Sequence, residues 1–486
     1  MPVKDLREWI EKVDALGELL RIDGAHWDLE IGALTDLYQQ HPGSPALLFD
    51  KIPGYPPGFR VLSNSCMSLK RNAFSLEIPT HFTPMEMVRN LKEREKRLKP
   101  IPPRVVKNGP IFENVQLGKD VNILIFPTPK WHELDGGRYI GTASLVTMRD
   151  PDTGWVNFGA YRLMLSDSPD WCNLRMALGR HGMYIRDKYW KQGKPCPVAV
   201  VVGHDPLLYM VSGIEVPVDV GEYDYAGALR GEPYDVVPGP VTGIPIAAGA
   251  EIAFEGELIP GDESQEGPFG EWTGYYAGGT RHESVVRIKS VMYRHNPIHL
   301  GTSPAVPPSD TTYYRSPIRS AMIWNQLEAA GIPGVKGVWS YEFGGGRLFT
   351  VVSIEQMNPG HARQTGHVAA NCFANAFFGR VTIVVDDDID VTDLNRVLWA
   401  VCTRSDPAED FEIIRRCWST RLDPMGYPDP AIYPDEQRQF NNRVIIDACI
   451  PFERRKTFPK VATTSPELKK KTMDKWPQLF PVKMGQ

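Results

Sequence analysis

The chain has 486 residues, of which 42% are hydrophobic and 23% charged, and its formal net charge is −5. A chain of this length is too long for one compact hydrophobic core, so two or three domains are expected. The negative net charge does not indicate a basic surface that would bind nucleic acid. No apolar run approaches the ~18 residues that span a bilayer, and the N-terminus lacks the apolar core of a signal peptide. The seven cysteines form no Cys-x-x-Cys pair, which indicates buried, reduced thiols in a cytoplasmic protein.

The first hundred residues contain two helical patterns. An apolar stripe from Leu6 to Leu20 predicts a helix over residues 3–20, and a charged helix is predicted from Glu86 to Leu98. Between them, Pro45–Arg60 is rich in Pro and Gly and predicts loops with short strands. The Pro-rich segment at residues 100–103 marks a domain boundary.

From about residue 116 to 305, short β-branched or aromatic runs alternate with turn residues. This pattern predicts a mostly β domain, with one helix near residues 172–188. The predicted strands include Ala143–Met148, Pro197–Val202, Ala250–Phe254 and Ser284–Tyr293. Residues 313–330 then have the spacing of an amphipathic helix that would connect two domains.

The remainder reads as strand, helix, strand, helix, which favours a layered α/β domain. These elements are Leu348–Ile354, Gly360–Phe378, Val381–Val385 and Val391–Val401. From Pro451 onward the chain is basic and irregular, and it is predicted to be a solvated tail or an arm that packs on a partner subunit.

Residues Glu266–Tyr276, with the sequence EGPFGEWTGYY, carry the most specific chemical signal. Glycines on both sides of Pro268–Phe269 favour a tight, irregular backbone that would present Glu266 and Glu271 from fixed positions. Two carboxyl groups held close together favour one ionised and one protonated form, as acid–base chemistry requires. A surface turn with two solvated glutamates is the alternative, and the aromatic, charge-poor flanks count against it.

A second candidate is Asn157–Arg162, which alternates like a strand. Asn157, Gly159 and Tyr161 would then share one face, with Arg162 on the other unless a bulge intervenes. Asparagine can supply an oxygen ligand, and arginine can bind a carboxylate or phosphate through two hydrogen bonds. A half-exposed strand with a surface arginine is the alternative.

Two further candidates are Arg180-His181, which follows a helix-like run, and Glu222, which leads into a helix of small residues. An Asn, a His and a Glu together would form a mixed oxygen and nitrogen site suited to Mn²⁺ or Mg²⁺. The alternatives are a packing histidine and an acid that favours a helix N-terminus. Spacing alone does not decide between them.

Asp386-Asp387-Asp388 follows an apolar strand and could bind a metal, but a solvated loop that caps the next helix is the favoured interpretation. The chain contains no phosphate-binding P-loop, no HExxH zinc motif and no GxSxG hydrolase motif.

Taken together, these segments resemble the UbiD family of prenylated-flavin-dependent decarboxylases over residues 5–450. The resemblance rests on motifs that occur in the same order along the chain: Asn157-x4-Arg162, Arg180-His181, Glu222–Gly231, Glu266–Tyr276, Pro359–Ala362, Asp386–Asp388 and Thr403–Pro407.

The resemblance implies a mixed α/β (α+β) fold in five parts: an N-terminal α/β segment (1–115), a split β-barrel domain that binds prenylated FMN (116–310), a linker helix (311–332), a C-terminal α/β oligomerisation domain (333–450) and a C-terminal arm (451–486).

It also implies site residues. The divalent cation, Mn²⁺ or Mg²⁺, would be held by Asn157, His181 and Glu222, and a K⁺ ion by Glu222 and the backbone near Val211 and Ser212. Arg380 would contact the phosphate of prenylated FMN. The full set of residues implied to contact the cofactor is Asn157, Phe158, Gly159, Ala160, Tyr161, Arg162, Arg180, His181, Glu222 and Arg380.

The implied activity is reversible, non-oxidative decarboxylation of an aromatic, heteroaromatic or α,β-unsaturated carboxylic acid through a covalent adduct with prenylated FMN, with release of CO₂. Arg162 would orient the substrate carboxylate, Glu266 would tune that grip, and Glu271 would protonate the carbon that loses CO₂. The alternatives are a carboxylase or the catalytic subunit of a multi-subunit carboxylase, a non-catalytic flavin-binding subunit, and a flavin-independent metal hydrolase. The implied partners are a flavin prenyltransferase that supplies the cofactor and further copies of the chain in a homodimer or hexamer, with no nucleic acid and no membrane.

Overall fold

The computed structural model describes residues 2–177, 179–214, 216, 219–420, 422–426 and 440–479. The α-helices in these ranges are α1 (Leu6–Ala15), α2 (Glu30–Gln39), α3 (Leu69–Ser75), α4 (Pro84–Arg97), α5 (His181–Lys191), α6 (Pro206–Ser212), α7 (Glu222–Arg230), α8 (Asp310–Tyr313), α9 (Arg315–Ala329), α10 (His361–Asn371), α11 (Phe373–Ala376), α12 (Leu394–Arg404) and α13 (Pro466–Lys475).

The β-strands in the same ranges are β1 (Leu19–Asp23), β2 (Ala46–Asp50), β3 (Arg60–Ser63), β4 (Arg104–Val105), β5 (Asn114–Leu117), β6 (Tyr139–Gly141), β7 (Leu145–Arg149), β8 (Val156–Gly159), β9 (Arg162–Leu165), β10 (Trp171–Arg175), β11 (Cys196–Val202), β12 (Asp235–Pro238), β13 (Pro245–Ala247), β14 (Ile252–Glu266), β15 (Arg281–Tyr293), β16 (Ile298–Leu300), β17 (Val335–Ser340), β18 (Phe349–Ile354), β19 (Val381–Asp386), β20 (Phe411–Trp418) and β21 (Phe440–Ala448).

The N-terminal part is a four-stranded sheet in the order β1-β2-β3-β16, with helices beside it. Asp5 caps the start of helix α1, because its side chain accepts a hydrogen bond from the Glu8 N–H, and Leu16 is the capping residue at the other end. The predicted helix to residue 20 is therefore too long. Gly17 adopts φ +71°, which turns the chain out of the helix, so that Leu19 and Leu20 enter strand β1.

The middle of the chain forms an antiparallel sheet in the order β6-β9-β10-β15-β14-β11-β7-β8, with β5 beside β15. Strands β8 and β9 lie six places apart in this order, about 29 Å in a flat sheet. Only Ala160 and Tyr161 join them, and such a link spans at most ~11 Å. The sheet must therefore curl into a half-barrel, and residues 160–161 cross the seam between its two ends.

The helix predicted near residues 172–188 is wrong in its first half. Residues Trp171–Arg175 form the central strand β10, which pairs with β9 on one side and β15 on the other, and α5 begins only at His181. Gly179 has φ +82°, so the chain turns between the strand and the helix.

The C-terminal part is a five-stranded sheet in the order β17-β18-β19-β21-β20, in which β18, β19 and β21 run parallel. Its predicted strands agree with β18 and β19 to within a residue, and its last predicted helix agrees with α12 to within three residues. The single helix predicted over Gly360–Phe378 is instead two helices, α10 and α11, because the backbone is extended at Cys372. Helix α9 confirms the predicted connecting helix. Helix α9 is buried around most of its circumference rather than on one face. The overall mixed α/β architecture with a half-barrel is confirmed.

Three strand pairings cross the predicted domain boundaries. Strand β16 leaves the half-barrel segment and pairs with β3, whereas β4 and β5 pair with β12 and β15. The boundary positions themselves stay predictions.

The arm after Pro451 is not irregular throughout, because Ser465 caps the helix α13. None of the residues of α13 is buried. Its predicted contact with a partner subunit stays a prediction. Cys66, Cys172, Cys196 and Cys449 are buried free thiols as predicted, but Cys402 is exposed. In the part of the chain that the structure describes, no helix has the length and apolarity to cross a membrane.

The acidic run Asp386–Asp388 is a structural feature. Asp386 is buried and accepts hydrogen bonds from Gln356 Nε2 at 2.7 Å, from Arg404 Nη1 at 3.2 Å and from the Ile450 N–H at 2.6 Å. Arg404 also binds both oxygens of Asp388. These contacts are structural, but the favoured interpretation of a solvated loop that caps the next helix is wrong in detail. Asp386 is buried, and Asp393 caps α12.

Replacing Asp386 with Asn should therefore destabilise the protein by about 3 kcal/mol, because it breaks a buried ion pair with Arg404. The adjacent Asp387 is exposed, so Asp387→Asn is the matched control and should change stability little. Thermal melting and the bound-metal content of both variants should be measured. Loss of metal from either variant, with stability unchanged, would revive the metal interpretation.

A buried polar network joins the N-terminal part to the half-barrel. His132 Nε2 lies 2.9 Å from Asp36 Oδ2, and His132 Nδ1 lies 3.7 Å from Asp135 Oδ2. The Ser303 hydroxyl donates to Asp36 Oδ1 at 2.6 Å. Burial alone would lower the pKa of His132, but the carboxylates of Asp135 and Asp36 raise it to about 9.

Because the folded-state pKa of His132 lies above the ordinary value of ~6.5, its stabilising effect is complete below pH ~6.5. That effect, on the order of 3 kcal/mol, should be lost as the pH rises through about 9. The melting temperature of the wild type should fall more between pH 6.5 and 9.5 than that of His132→Gln. The exposed His41 provides the control His41→Gln, which should follow the wild type. Identical pH dependence in all three proteins would contradict the charge assignment.

Candidate active site

Arg162 binds two glutamates at once in the interior of the half-barrel. Its Nε donates to Glu266 Oε1 and its Nη2 to Glu266 Oε2, both at 2.8 Å, and its Nη1 donates to Glu271 Oε1. Glu266 is fully buried and Glu271 is 9% exposed, so the alternative of a surface turn with two solvated glutamates is wrong. The structure thus brings together the three predicted catalytic residues.

The guanidinium keeps its charge in this buried position. Burial acts to lower the pKa of Arg162, but the charges of Glu271 and Glu266 outweigh it and raise the pKa above its ordinary value. A guanidinium has five N–H donors, and three are used by the two glutamates. One N–H on Nη1 and one on Nη2 remain, which is the number that a substrate carboxylate takes from an arginine in a bidentate pair.

The loop that carries the two acids begins at the last residue of β14, Glu266. Gly267 has φ +86°, and a Cβ atom there would lie 2.5 Å from the carbonyl oxygen of Gly279. Only glycine fits this position without displacing the backbone. The guanidinium of Arg162 lies over the Phe269 ring at 5.1 Å, so the aromatic residue of the loop packs against the arginine.

Asn157, His181 and Glu222 form a second cluster, although they belong to three separate elements. Asn157 lies in β8, whereas His181 is the first residue of α5 and Glu222 the first of α7. Asn157 Nδ2 donates to Glu222 Oε1 and lies 3.5 Å from His181 Nδ1, and the Phe158 N–H donates to Glu222 Oε2 at 2.8 Å. His181 therefore begins a helix instead of following one.

The electrostatics of this cluster fit a divalent cation. Burial raises the pKa of Glu222 to about 8, because the described residues place no side-chain cation against it. Burial and the neighbouring Arg180 lower the pKa of His181, which favours the neutral, metal-binding form. Asn157 Oδ1 is buried without a hydrogen-bond partner in the described structure. An amide oxygen, an imidazole and a carboxylate suit Mn²⁺ or Mg²⁺ better than a thiol-seeking metal.

This set contains only two residues of the His, Cys, Asp and Glu types. Among the described residues, no group of three or more of those types is placed to hold a metal. The asparagine is thus an essential part of the candidate site.

Val211 and Ser212 end helix α6 beside the seam. The Ser212 carbonyl accepts a hydrogen bond from the Ala160 N–H at 3.2 Å, and the Val211 carbonyl accepts one from the Ile214 N–H at 3.3 Å. The Ser212 backbone is therefore in contact with the link that crosses between β8 and β9.

The prediction of one continuous strand over Asn157–Arg162 is wrong, because the seam interrupts it. Strand β8 ends at Gly159, and β9 begins at Arg162, so the alternation of faces stops at Ala160 and Tyr161. A Cβ atom on Gly159 would lie 2.8 Å from the Tyr161 ring, so this bend needs glycine. Arg162 takes its direction from β9 and not from the strand that carries Asn157.

A cavity of about 680 Å³ opens at this seam. The half-barrel contributes Ala160, Tyr161, Arg162, Arg180 and Glu271 to its lining. The C-terminal part supplies the opposite wall, which includes Arg315, Arg347, Phe377, Trp418 and Leu422.

Arg380 is not among the residues that line this cavity. Its guanidinium donates to the buried carboxylate of Asp423, which also accepts a hydrogen bond from the Ser419 hydroxyl. Ser419 itself lines the cavity, so Arg380 lies behind that wall. Its predicted phosphate contact stays a prediction.

Sequence reasoning missed the aromatic side chains of the cavity. The Phe377 and Trp418 rings lie 4.8 Å apart, and the Trp272 ring lies 4.9 Å from the Phe378 ring. Trp272 stands within the acidic loop motif and could have been noticed there. Phe377 and Trp418 belong to distant elements, and no local pattern brings them together.

Comparison with known proteins agrees with this geometry. Models of the N-terminal, Rift-related and C-terminal domains of 3-octaprenyl-4-hydroxybenzoate carboxy-lyase match residues 10–94, 104–307 and 312–448. The chain therefore belongs to the UbiD family of carboxy-lyases, as the sequence motifs indicate. Pyrrole-2-carboxylic acid decarboxylase of Pseudomonas aeruginosa is 32% identical over 423 residues, which is 84% of each chain.

Solved structures with the same architecture include the closed form of vanillic acid decarboxylase from Sedimentibacter hydroxybenzoicus. It is 28% identical, has a TM-score of 0.84, and the match covers 99% of this chain and all of that one. An evolved dimeric form of the UbiD-class enzyme HmfF from Pelotomaculum thermopropionicum, in complex with prenylated FMN, is 27% identical with a TM-score of 0.80. That match covers 96% of this chain and 98% of the other.

Proposed function

We propose that the protein catalyses the reversible, non-oxidative decarboxylation of an aromatic, heteroaromatic or α,β-unsaturated carboxylic acid with prenylated FMN. The observation that carries the proposal is the buried Arg162–Glu266–Glu271 group at the wall of a cavity. In this group, Arg162 can bind a substrate carboxylate and Glu271 can serve as an acid, and both residues line the same cavity. The decarboxylases and the prenylated-FMN complex among its relatives support this assignment.

The cofactor would lie along the seam, in contact with residues Asn157–Arg162 and Arg180. A divalent cation held by Asn157, His181 and Glu222 would bind its phosphate, and a K⁺ ion would use Glu222 and the carbonyls of Val211 and Ser212. When bound, prenylated FMN would supply a conjugated framework that stabilises the electron pair left on the substrate carbon as CO₂ departs.

The protein's own residues bind, orient and protonate the substrate. The two unused N–H groups of Arg162 hold the substrate carboxylate, and Glu266 keeps the guanidinium in one plane. The bond between the carboxyl carbon and the substrate breaks, and its electron pair stays on the substrate side. Glu271, whose carboxylate pairs with Arg162, takes up a proton from solvent and delivers it to that carbon.

The aromatic wall favours a flat, unsaturated substrate. Phe269, Trp272, Phe377 and Trp418 all line the cavity, and they offer ring faces and edges on which a conjugated acid can pack. Carboxylation is the same reaction in reverse, and the supply of CO₂ and substrate sets its direction. A homodimer or hexamer and a separate flavin prenyltransferase complete the proposal, supported by a dimeric form among the structural relatives.

The direct test of the reaction uses protein co-expressed with a flavin prenyltransferase. The extracted cofactor should have the mass of prenylated FMN, and a screen of aromatic and acrylic acids should release CO₂. Divalent metal without flavin, combined with hydrolysis of a test ester or amide, would favour the metal-hydrolase alternative.

Glu271→Gln should lower kcat by about 100-fold or more, because the amide cannot donate the proton. The variant should keep its cofactor, since the amide has the same shape. Glu263 lies in β14 and is exposed, so Glu263→Gln is the matched control and should retain wild-type turnover. A wild-type rate in Glu271→Gln would remove this residue from the acid role.

Glu222→Gln should weaken Mn²⁺ binding by at least about 10-fold, because it replaces the charged ligand with a neutral amide of the same size. Cofactor occupancy should fall with it. Asp224→Asn changes the next acid in the same helix and should leave both unchanged. Metal content after dialysis and flavin absorbance provide the measurement, and a fully loaded Glu222→Gln protein would refute the cation site.

A further inference from the structure

The segment Asp135–Tyr139, here called the brace, runs along the loop Glu266–Gly270, and its hydrogen bonds reach Glu266, Pro268 and Gly270. Asp135 Oδ1 accepts a hydrogen bond from the Gly270 N–H at 3.2 Å, and the Gly136 N–H donates to the Pro268 carbonyl at 2.8 Å. The Tyr139 hydroxyl donates to Glu266 Oε1 at 2.9 Å, and the Pro268 carbonyl is a second, longer acceptor at 3.4 Å. The brace therefore binds every second residue from the first acid to the residue before Glu271.

The approach of the two segments is close enough to restrict the sequence. A Cβ atom on Gly136 would lie 2.0 Å from the Gly267 carbonyl oxygen. The Asp135 side chain is fully buried, and its second oxygen accepts a hydrogen bond from the His132 N–H at 3.0 Å. The contact is thus built into the interior and does not depend on exposed, mobile groups.

Tyr139 is the member of the brace that touches the reactive group. Its side chain is fully buried, and its ring centre lies 4.0 Å from that of Phe269. Burial and the charge of Glu266 raise the pKa of Tyr139, so the hydroxyl stays a donor at neutral pH. Tyr139 is not among the residues that line the cavity, so it does not meet the substrate.

The hydroxyl completes the set of donors around Glu266. Oε1 accepts from Arg162 Nε and Tyr139, and Oε2 accepts from Arg162 Nη2. The terminal torsion of a glutamate is broad, so a carboxylate held only by the guanidinium can rotate together with it. The Tyr139 hydroxyl belongs to strand β6, so its hydrogen bond fixes the plane of the Glu266 carboxylate and of the Arg162 guanidinium paired with it.

We propose that Tyr139 is a positioning residue for decarboxylation, which acts through Glu266 Oε1 to hold the Arg162 guanidinium toward the cavity. This inference rests on the proposed function. It adds a fourth side chain to the Arg162–Glu266–Glu271 group and gives the Asp135–Tyr139 segment a purpose beyond packing.

The test is Tyr139→Phe, which removes the hydroxyl and keeps the ring that packs on Phe269. With the acid identified by the CO₂ screen, kcat should fall roughly 10-fold while KM changes less than about twofold. Cofactor occupancy and melting temperature should stay close to those of the wild type. Tyr275→Phe is the matched control, since this tyrosine lies in the same loop and is 59% exposed, and it should behave as the wild type.

A wild-type kcat in Tyr139→Phe would overturn the inference, as would a loss of kcat that only follows loss of cofactor or of folded protein. A second measurement does not need turnover. Benzoate affinity is compared in the wild type, Tyr139→Phe, Glu266→Gln and the double variant. If Tyr139 acts through Glu266, the two effects are not additive, whereas additive effects would overturn the proposal. Failure of the wild-type holoenzyme to release CO₂ from any acid would instead refute the proposed function, and the benzoate comparison would still decide the role of Tyr139.

Discussion

The site depends on one buried guanidinium shared between two carboxylates. Breaking a buried ion pair typically costs 3–5 kcal/mol, because it leaves an uncompensated charge in the interior. Arg162 and Glu266 satisfy each other through two parallel hydrogen bonds, and Glu271 takes a third. Arg162 therefore holds Glu266 by two hydrogen bonds and Glu271 by one, which is the basis of the proposed assignment of Glu271 as the acid. The difference in role follows from position and not from residue type.

The curled sheet is what places this arginine next to the candidate cation site. Strands β8 and β9 are neighbours in sequence but lie six places apart in the sheet, so the short link between them can exist only at a seam. Asn157 stands before the link, Arg162 after it, and the Ser212 carbonyl binds the backbone of Ala160 within it. The candidate cation site and the candidate carboxylate-binding arginine thus lie a few residues apart in sequence, on either side of the seam, and Arg162 lines the cavity there.

Local patterns predicted part of this arrangement. The glycines around Pro268 and Phe269 indicated a tight turn that presents two acids, and the structure has that turn with both acids buried. No spacing rule could bring Asn157, His181 and Glu222 together, because they lie on a strand and two helices joined only by tertiary contacts; the family resemblance supplied that expectation. The helix predicted over residues 172–188 failed because strand pairing on both sides of β10 overrode a local pattern. The contact between Phe377 and Trp418 could not be predicted for the same reason as the candidate cation site, because only tertiary contacts bring these residues together.

The two acids of the loop are anchored to different parts of the molecule. Glu266 is the last residue of the half-barrel strand β14, and the Tyr139 hydroxyl donates a hydrogen bond to its carboxylate. The residues after Glu271 face the C-terminal part instead. The Trp272 ring packs on Phe378 and lies where a Cβ atom of Gly345 would be, and the Thr273 hydroxyl donates to the Leu422 carbonyl at 3.3 Å. Any displacement of the C-terminal part relative to the half-barrel would therefore move Glu271 more than Glu266. In the proposed mechanism, Arg162 and Glu266 would keep the substrate carboxylate through such a motion, whereas proton delivery from Glu271 would depend on the two parts being together.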